Sequence, residues 1–412
     1  MTMAVLLSRQ RSHAAAPVAE RAASTLPALT GLRFVAVLCV VVYHFGTVRV
    51  ASAGLFGVLQ SVGQRLSTYG LLGVNCFFIL SGFVLAYRYI DVTGTLCGSR
   101  RAFWGARFAR IYPLYAVALL LGCGPLLWYH DAATQRLMRL AFLPSAALLQ
   151  SWVPALSTAW NPPGWSLSVE AFFYLCFPLL VIPIGRLRSR QLAGLVAASW
   201  TTMLLAPSAL LMLLPAAAHT PGSYCAQITS YEPVLRLPEF MLDVALGRLW
   251  VLRGEARRTT GGRPDCYPPP WLVGLGLVTL LACAPRLPFV LLHDGLGDPL
   301  FAALIWSLAR GKGQLAGLLS RPSTVLLGEA SYGVYLLHWP LWMWLQHLGA
   351  VPAAPFALPY FAAYLVLTVA LSLLSLRLVE MPARRAIRQA FTGRSCARRP
   401  VAEHIAFGRP PS

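Results

Sequence analysis

The stretch from Leu26 to Phe45 is an apolar run long enough to cross a bilayer, yet it contains an arginine and a histidine. Arg33 and His44 are eleven residues apart. On a helix this is roughly 16 Å and close to three turns, so both side chains share one face. Ionisable residues are costly inside a spanning helix and are by default candidates for a functional site. The sequence therefore predicts a membrane helix with a functional stripe from Arg33 to His44.

The composition of the whole chain is that of a membrane protein. Of its 412 residues, 57% are hydrophobic and 12% are charged, whereas a soluble domain carries about 25% charged residues. The long apolar runs lack strict alternation, which favours helices over a β-barrel. We therefore expect an all-α integral membrane protein with about ten transmembrane helices. The predicted spans are 27–48, 70–90, 112–129, 165–184, 191–214, 237–252, 271–285, 289–309, 323–347 and 358–379.

The distribution of basic residues predicts the orientation. With the N-terminus inside, the cytoplasmic segments hold 26 of the 34 basic residues and the outer loops hold six. Cytoplasmic loops of membrane proteins carry such an excess, so both termini are predicted to be cytoplasmic. The net charge of +20 therefore reflects orientation in a lipid bilayer, and no nucleic-acid partner is expected. The predicted location is the cell (inner or plasma) membrane, as a multi-pass protein.

Three regions are expected along the chain. Residues 1–25 and 386–412 are basic tails predicted to be disordered, and residues 26–385 form one transmembrane domain. The apolar segment 140–152 is too short to span, so it is predicted to be interfacial or re-entrant. The chain ends soon after the tenth predicted span, which suggests a stand-alone domain.

Three polar side chains are predicted to share one depth near the outer face. His44, Asn75 and Glu170 lie near the outer ends of the first, second and fourth spans. A carboxylate bonded to an imidazole orients it and raises its basicity, which would make His44 a general base and Glu170 its partner. The alternative is that these groups only satisfy one another between helices.

Two arginines near the inner end of the third span are candidates for binding an anionic donor. Arg107 and Arg110 are three residues apart and so share a helical face. Arginine forks suit phosphate groups, and Arg33 could join them. The alternative is that they only anchor the helix at the cytoplasmic surface, as the orientation rule requires.

Further side chains are tentative candidates for lining a cavity. Ser331 and His338 lie at helical spacing in the ninth span, and Trp165 opens the motif WSLSVEAFF. Glu239 could contact an acceptor or pair with Arg236. The sequence contains no phosphate-binding loop, dinucleotide motif or zinc-binding HExxH motif, so we expect no metal and no nucleotide cofactor fold.

Seven motifs in order resemble the membrane acyltransferase 3 family. They are LTGLRFVAVLCVVVYHF, GVNCFFILSGFVL, RFARIYPLY, WSLSVEAFFYLCFPLL, LPEFMLDVALG, SYGVYLLHWPL and VEMPARR. The last departs from the family pattern, because Met381 stands where many members have a basic residue. The resemblance implies O-acyl transfer from cytoplasmic acyl-CoA, with acetyl-CoA expected, to a hydroxyl of an exported or cell-surface glycan. It implies an essential His44, supported by Arg33, Arg107, Arg110 and Glu170.

Two other functions stay open from the sequence. The acceptor could be a small secondary metabolite such as a macrolide. The buried charges could also mark the substrate path of a transporter, although no internal repeat supports that reading.

Overall fold

The computed structural model describes residues 26–45, 69–70, 72–124, 128, 131–213, 223–260, 268–351 and 358–392. Within these ranges the chain is helical, and its β-type pairing is a single bridge between Ile90 and Leu96. The predicted all-α class is confirmed. The helices are α1 (Pro27–His44), α2 (Leu72–Tyr89), α3 (Arg100–Leu121), α4 (Ala132–Ala146), α5 (Trp165–Gly185), α6 (Ser189–Leu213), α7 (Tyr224–Tyr231), α8 (Leu237–Thr260), α9 (Pro270–Cys283), α10 (Phe289–His293), α11 (Asp298–Ala309), α12 (Gln314–Leu319), α13 (Pro322–His347), α14 (Leu358–Ser375) and α15 (Met381–Thr392). A π-helical turn, Leu376–Glu380, joins α14 to α15.

Six stretches of the described chain are long and apolar enough to cross a membrane. They are Pro27–His44, Leu72–Tyr89, Pro162–Gly185, Ser189–Leu213, Phe289–Ala309 and Leu358–Phe391. Each coincides with one of the ten predicted spans. The other four predicted spans fall in α3, α8, α9 and α13, of which α9 has only 14 residues. The count of ten spans and their orientation therefore stay predictions, and the two predicted tails lie outside the described residues except for 386–392.

Helix α3 begins well before the predicted span 112–129. The Ser99 hydroxyl accepts a hydrogen bond from the backbone N–H of Ala102 at 3.1 Å and so caps the helix at Arg100. A serine in this position satisfies one of the free N–H groups at a helix start. Arg107 and Arg110 therefore lie inside a continuous helix rather than at its mouth.

Helix α1 packs closely against α2 and α13 because glycines face it. Gly328 of α13 lies against the backbone of Thr30, and Gly73 of α2 lies against the backbone of Ala36. A Cβ atom at either glycine would overlap these backbone atoms. Small residues at such positions let helix backbones approach, as is typical of membrane helix pairs. The close approach sets the register of α1 against α13.

Replacing Gly328 by alanine should lower the melting temperature of the purified protein. The new methyl group has no space at Thr30, and overpacking of this kind costs about 1–3 kcal/mol. Gly194 of α6 has open space around its Cα, so Gly194→Ala serves as the matched control and should be neutral or stabilising. Equal melting temperatures for the two variants would show that the α1–α13 contact is not tight.

The connection between α4 and α5 is only partly exposed: Leu149, Trp152 and Val153 reach the surface, whereas its polar residues are buried. Gln150, Ser151 and Asn161 are buried in a series of short 3₁₀ turns. The Ser151 hydroxyl donates to the Trp165 carbonyl at 2.8 Å, and the Asn161 amide donates to the Leu336 carbonyl at 3.2 Å. Irregular backbone is tolerated at membrane depth where protein surrounds it. Of the predicted segment 140–152, the first part is the end of α4 and the last part enters this buried connection.

Candidate functional site

Two histidines from different helices meet at one end of the bundle. His44 is the last residue of α1, and His338 lies in the middle of α13. The distance between His44 Nδ1 and His338 Nε2 is 3.2 Å. His338 is fully buried, whereas His44 is partly exposed. From the sequence, His338 is only a tentative candidate for lining a cavity, whereas in the structure it is the direct neighbour of His44.

The hydrogen bonds of the pair define the tautomer of each ring when both are neutral. His338 Nδ1 lies 3.1 Å from the Val334 carbonyl, which can only accept, so this nitrogen carries the proton. His338 Nε2 is then an acceptor for the proton on His44 Nδ1, which also lies 3.0 Å from the Val40 carbonyl. The remaining nitrogen, His44 Nε2, is left with a free lone pair. An imidazole held in this way can accept a proton from a substrate.

Aromatic side chains surround the histidine pair. The His44 ring packs edge-on against Trp339 at 5.6 Å between centroids, and Phe45 packs against Trp342 at 4.6 Å. The Tyr364 hydroxyl donates to the His338 carbonyl at 2.6 Å. These contacts fix His338 through both its ring and its backbone, and they restrict water around the pair.

The predicted hydrogen bond between Glu170 and His44 is absent in this structure. Glu170 Oε1 instead accepts from the Ser81 hydroxyl at 2.9 Å and from the Tyr174 hydroxyl at 2.5 Å. Ser166, one turn before Glu170 on α5, bonds the Tyr335 hydroxyl at 2.6 Å. Tyr335 itself lies one turn before His338 on α13. From the contact between Ser166 and Tyr335, Glu170 lies four residues away in one direction along the bundle and His338 lies three residues away in the other. At the rise of a helix this separates them by about 10 Å, which is too far for direct contact.

The buried connection before α5 explains this difference. Hydropathy places the start of the fourth span at the membrane surface and Glu170 near it. In the structure the chain enters α5 from an interior segment, because Asn161 is already bonded to Leu336 in the core of the bundle. The first turn of α5 therefore starts at the depth of the histidines, and Glu170 lies deeper.

Glu170 belongs to an arginine-rich group at the other end of α1. Arg107 donates to the Tyr89 hydroxyl at 3.0 Å, and its guanidinium lies 5.7 Å from the centre of the Tyr174 ring. Its Nε atom is buried and has no hydrogen-bond partner among the described residues. Arg107 is therefore held between aromatic rings with one donor unused, close to the carboxylate of Glu170.

Arg110 has a different partner from Arg107. Its guanidinium lies 3.5 Å from Glu380 Oε2 and 5.4 Å from the centre of the Tyr332 ring. Glu380 is buried and also pairs with Arg384, one turn further along α15. Arg384 therefore supplies the basic side chain beside Glu380 that Met381, at the family's usual basic position, does not.

Arg33 lies in the same group and has no partner in the described part of the chain. The charges that act on it are those of Arg110, Arg88 and Glu170. Its side chain is half-buried. The group thus brings Arg33 and Arg107 near one carboxylate, that of Glu170, with Arg88 close to both arginines, and its excess positive charge suits an anion. Helix α1 is continuous from Arg33 to His44, as predicted, and the rise of a helix then separates the two positions by about 16 Å.

Asn75, Trp165 and Glu239 form a second buried group rather than part of the histidine site. Asn75 donates to Asp298 Oδ1 at 3.3 Å and to the His293 carbonyl at 3.2 Å. Glu239 pairs with Arg236 at 3.6 Å, and the Arg236 guanidinium lies 5.9 Å from the centre of the Trp165 ring. Of the two readings for Glu239, pairing with Arg236 is the one observed. The predicted shared depth of Asn75 and His44 produces no contact between them among the described residues.

The Ser331 side chain forms a hydrogen bond within its own helix, α13. Its hydroxyl donates to the Gly328 carbonyl at 2.7 Å and is buried. Within the described ranges no three or more histidine, cysteine, aspartate or glutamate side chains form a group that could hold a metal ion.

Three contributors to the site were missed by the sequence analysis. Ser81 and Tyr174 bind Glu170, and Arg88 adds charge beside Arg33. Ser81 is a polar residue within the apolar run GVNCFFILSGF, and Tyr174 lies four residues after Glu170 and so on the same helical face. These two signals are present in the sequence, but only the packing of α2 against α5 joins them.

Comparisons with known proteins agree with this architecture. The acyltransferase domain model of the acyltransferase 3 family matches residues 26–377. MdmB of Streptomyces mycarofaciens, named an acyltransferase, is 31% identical, and the match covers 76% of this chain and 78% of MdmB. A protein of Staphylococcus aureus (strain MRSA252) named for O-acetyl transfer is 22% identical, and the match covers 90% of this chain and 59% of that protein.

YrhL of Bacillus subtilis (strain 168), named for peptidoglycan O-acetyl transfer, is 24% identical over 90% of this chain and 56% of its own length. The chain thus spans less than two thirds of the Staphylococcus and Bacillus relatives. No solved structure matches the chain. The family match covers the helices that carry both histidines and the arginine-rich group. The chain belongs to the acyltransferase 3 family and is an O-acyltransferase of the multi-pass membrane type.

Proposed function

We propose that the protein transfers an acyl group, most simply acetyl, from cytoplasmic acyl-CoA to a hydroxyl of an exported or cell-surface glycan. The observation that carries this proposal is the arrangement along α1. A histidine with a free Nε2 lone pair stands at one end, and Arg33 stands about 16 Å away at the other. A long substrate with phosphates at one end and a thioester at the other matches these two positions.

The arginine-rich group is proposed to bind the phosphates of the donor. Arg33 has no partner in the described part of the chain, and Arg107 has an unused Nε donor. Both can therefore bind an anion without giving up an existing ion pair. Glu170, bonded to Ser81 and Tyr174, acts in this proposal as a positioning residue that keeps Arg107 and Arg33 in place. Arg110, already paired with Glu380, contributes charge beside them.

The histidine pair is proposed to move the proton during transfer. His44 Nε2 takes the proton of the acceptor hydroxyl while the oxygen attacks the thioester carbon. The C–S bond then breaks, and His44 returns the proton to the thiolate of CoA, so no net proton is released. His338 accepts a hydrogen bond from His44 Nδ1 and, together with the Val40 carbonyl, keeps His44 in the orientation and tautomer that this step requires.

Replacing His338 by alanine should lower kcat by about twofold to tenfold with little change in the KM for acyl-CoA. The lost hydrogen bond helps to orient the His44 ring in its reactive tautomer, and a bond of this kind is worth about 0.5–1.5 kcal/mol. An effect on kcat alone indicates an interaction used in the transition state. His338→Asn, which retains a side-chain amide in the buried position, should recover part of the rate. A variant that only loses thermal stability, with unchanged kcat, would limit His338 to packing.

The topology proposed for this function has ten spans with both termini in the cytoplasm. It is supported by the basic residues, of which 26 lie on the inner side and six on the outer side. The arginine-rich group then faces the cytoplasm, where the donor is, and the protein resides in the cell membrane. Reporter fusions at both termini should report the cytoplasm, and a fusion within 215–235 should report the outside. An external reporter at either terminus would refute this orientation.

The acceptor is the finer part of the proposal. A glycan is supported by the printed name of YrhL, and by the position of His44 at the end of α1 that this topology places outside. A small secondary metabolite such as a macrolide is the second candidate. The match to MdmB, which is named only as an acyltransferase and is covered over 78% of its length, leaves this acceptor open beside a glycan.

The function is tested with purified protein in detergent, where transport has no meaning. The protein should release CoA thiol from acetyl-CoA only when an acceptor is added. Mass spectrometry of surface glycans and of small-molecule extracts then compares cells with the wild-type gene against cells with His44→Ala. Acetyl groups lost from glycans would support the first acceptor, and acetyl groups lost only from small molecules would support the second. No thiol release with either acceptor fraction would refute the proposed reaction.

A further inference from the structure

A small cavity lies where α3, α4 and the connection before α5 meet. Polar and aromatic side chains line it, among them Tyr115, Ser145, Gln150, Trp160 and Asn161, and every residue of the lining is buried. The space open to the centre of a water molecule is about 10 Å³. A single water needs roughly 10–15 Å³ by this measure. The cavity therefore has the size of one water molecule.

Two side-chain oxygens of the lining are acceptors without a donor. The Gln150 amide nitrogen donates to the Gly164 carbonyl at 2.8 Å, and the Asn161 amide nitrogen donates to the Leu336 carbonyl at 3.2 Å. A carbonyl can only accept, so these contacts define which end of each amide is the nitrogen. Gln150 Oε1 and Asn161 Oδ1 are buried and have no hydrogen-bond partner among the described residues.

The third unpartnered group of the lining is the Ser145 hydroxyl, near the end of α4. Its Oγ atom is buried and has no partner within the described ranges. The other donors are already used, because the Tyr115 hydroxyl donates to the Ser145 carbonyl at 2.7 Å and the Trp160 indole donates to the Leu119 carbonyl at 2.8 Å. No carboxylate or cationic side chain lines the cavity. A neutral ligand that both donates and accepts hydrogen bonds fits these three groups.

We propose that this cavity binds one water molecule. The water donates its two protons to Gln150 Oε1 and Asn161 Oδ1, and it accepts the proton of the Ser145 hydroxyl. About three hydrogen bonds is the usual number for a buried water. This arrangement gives a partner to every unpartnered side-chain atom of the lining.

The proposed water joins the elements that set the depth of α5. Ser145 belongs to α4, whereas Gln150 and Asn161 lie in the connection between α4 and α5. The water therefore holds this connection to α4, while the Asn161 amide holds it to α13 two residues before His338. The site does not depend on the acyl donor or the acceptor. Failure of the transfer assay would leave this proposal standing.

X-ray radiolytic labelling of the full chain in detergent, followed by mass spectrometry, tests the proposal. Ionised water yields hydroxyl radicals that modify adjacent side chains. Tyr115 lines the cavity, and Tyr364 is its matched control, since each is 3% exposed and each hydroxyl donates to a backbone carbonyl. Tyr364 packs instead against the rings of Phe45 and Trp342. Tyr115 should be labelled at least about fivefold faster than Tyr364, and equal rates would overturn the proposal.

Two substitutions of Ser145 separate a bound water from general entry of solvent. Ser145→Val replaces the hydroxyl by methyl groups that take up the space of one water, so labelling of Tyr115 should fall by about fivefold. Ser145→Ala leaves the space and both amide oxygens, so labelling should stay within about twofold of the wild type. Labelling of Tyr115 in Ser145→Val at the wild-type rate would overturn the proposal. The comparison of Tyr115 with Tyr364 in the wild-type protein decides the question even if Ser145→Val does not fold.

Discussion

Replacing His44 by alanine should lower the turnover number by about two to four orders of magnitude, because a positioned general base contributes a factor of that size. The variant keeps the helix, since alanine is the residue that α-helices favour most. It removes the nitrogen that accepts the hydroxyl proton and leaves His338 with an unused acceptor. The measurement is acceptor-dependent release of CoA thiol from acetyl-CoA by purified protein.

The chain offers a matched control for this variant. His347 is an exposed histidine at the end of α13 that stacks on Trp128, and it lies outside the proposed site. His347→Ala should keep turnover within a factor of about two, as is usual for surface substitutions. A stable His44→Ala protein with normal turnover would refute the role of His44 as the base.

Replacing Arg33 by glutamine should raise the KM for acyl-CoA by about tenfold to a hundredfold. Glutamine retains hydrogen-bonding groups but loses the charge, and a hydrogen bond to a charged group contributes about 1.5–3 kcal/mol. The effect on kcat should be small, since the proposed contact is to the phosphates and not to the reacting thioester. Initial rates at varied acetyl-CoA and saturating acceptor measure it.

The comparison for Arg33 is a second arginine that carries charge but lies outside the group. Arg190 is exposed and lies at the start of α6, so Arg190→Gln should leave both KM values unchanged. If Arg33→Gln changed only the KM for the acceptor, the donor site would have to lie elsewhere.

Much of the site could be predicted because it lies on single helices. Arg33 and His44 share α1, and their separation follows from the rise of a helix alone. The all-α class followed from long apolar runs, which in a membrane allow few other structures.

Contacts between helices were less accessible to sequence reasoning. The partner of His44 was assigned by comparing predicted depths, and depth depends on where each helix starts within the bundle. For α5 that start lies inside the protein, after the buried turns around Asn161. As the partner of His44, Glu170 was predicted and His338 was not. The packing of Gly328 on Thr30 sets α13 against α1, and His338, ten residues after Gly328, then lies next to His44.

The group around Arg236 shows a second reason. Asn75 and Glu239 were assigned to the cavity as isolated polar residues in apolar runs. Glu239 pairs with Arg236, three residues before it, whereas the partners of Asn75 are the His293 carbonyl of α10 and Asp298 of α11. The pairing of Asn75 across more than two hundred positions leaves no local periodic signal, so the sequence shows that this side chain needs a partner without showing which.

The contact between Gly328 and Thr30 has a mechanical consequence for the chemistry. The two helices α1 and α13 are in closest contact there and can pivot about this point. His338 lies ten residues after Gly328, about 15 Å along α13. A small change in the crossing angle at this contact becomes a larger displacement of the two imidazoles. Their separation of 3.2 Å is already at the long end of the hydrogen-bond range, so a slight splaying of α13 would break the hydrogen bond between the two imidazoles, although the Val40 carbonyl at 3.0 Å would still hold the proton on His44 Nδ1. The hydrogen bond between the two rings therefore depends on the angle between α1 and α13. Any event that tilts α13 changes how firmly the His44 ring is held as a base.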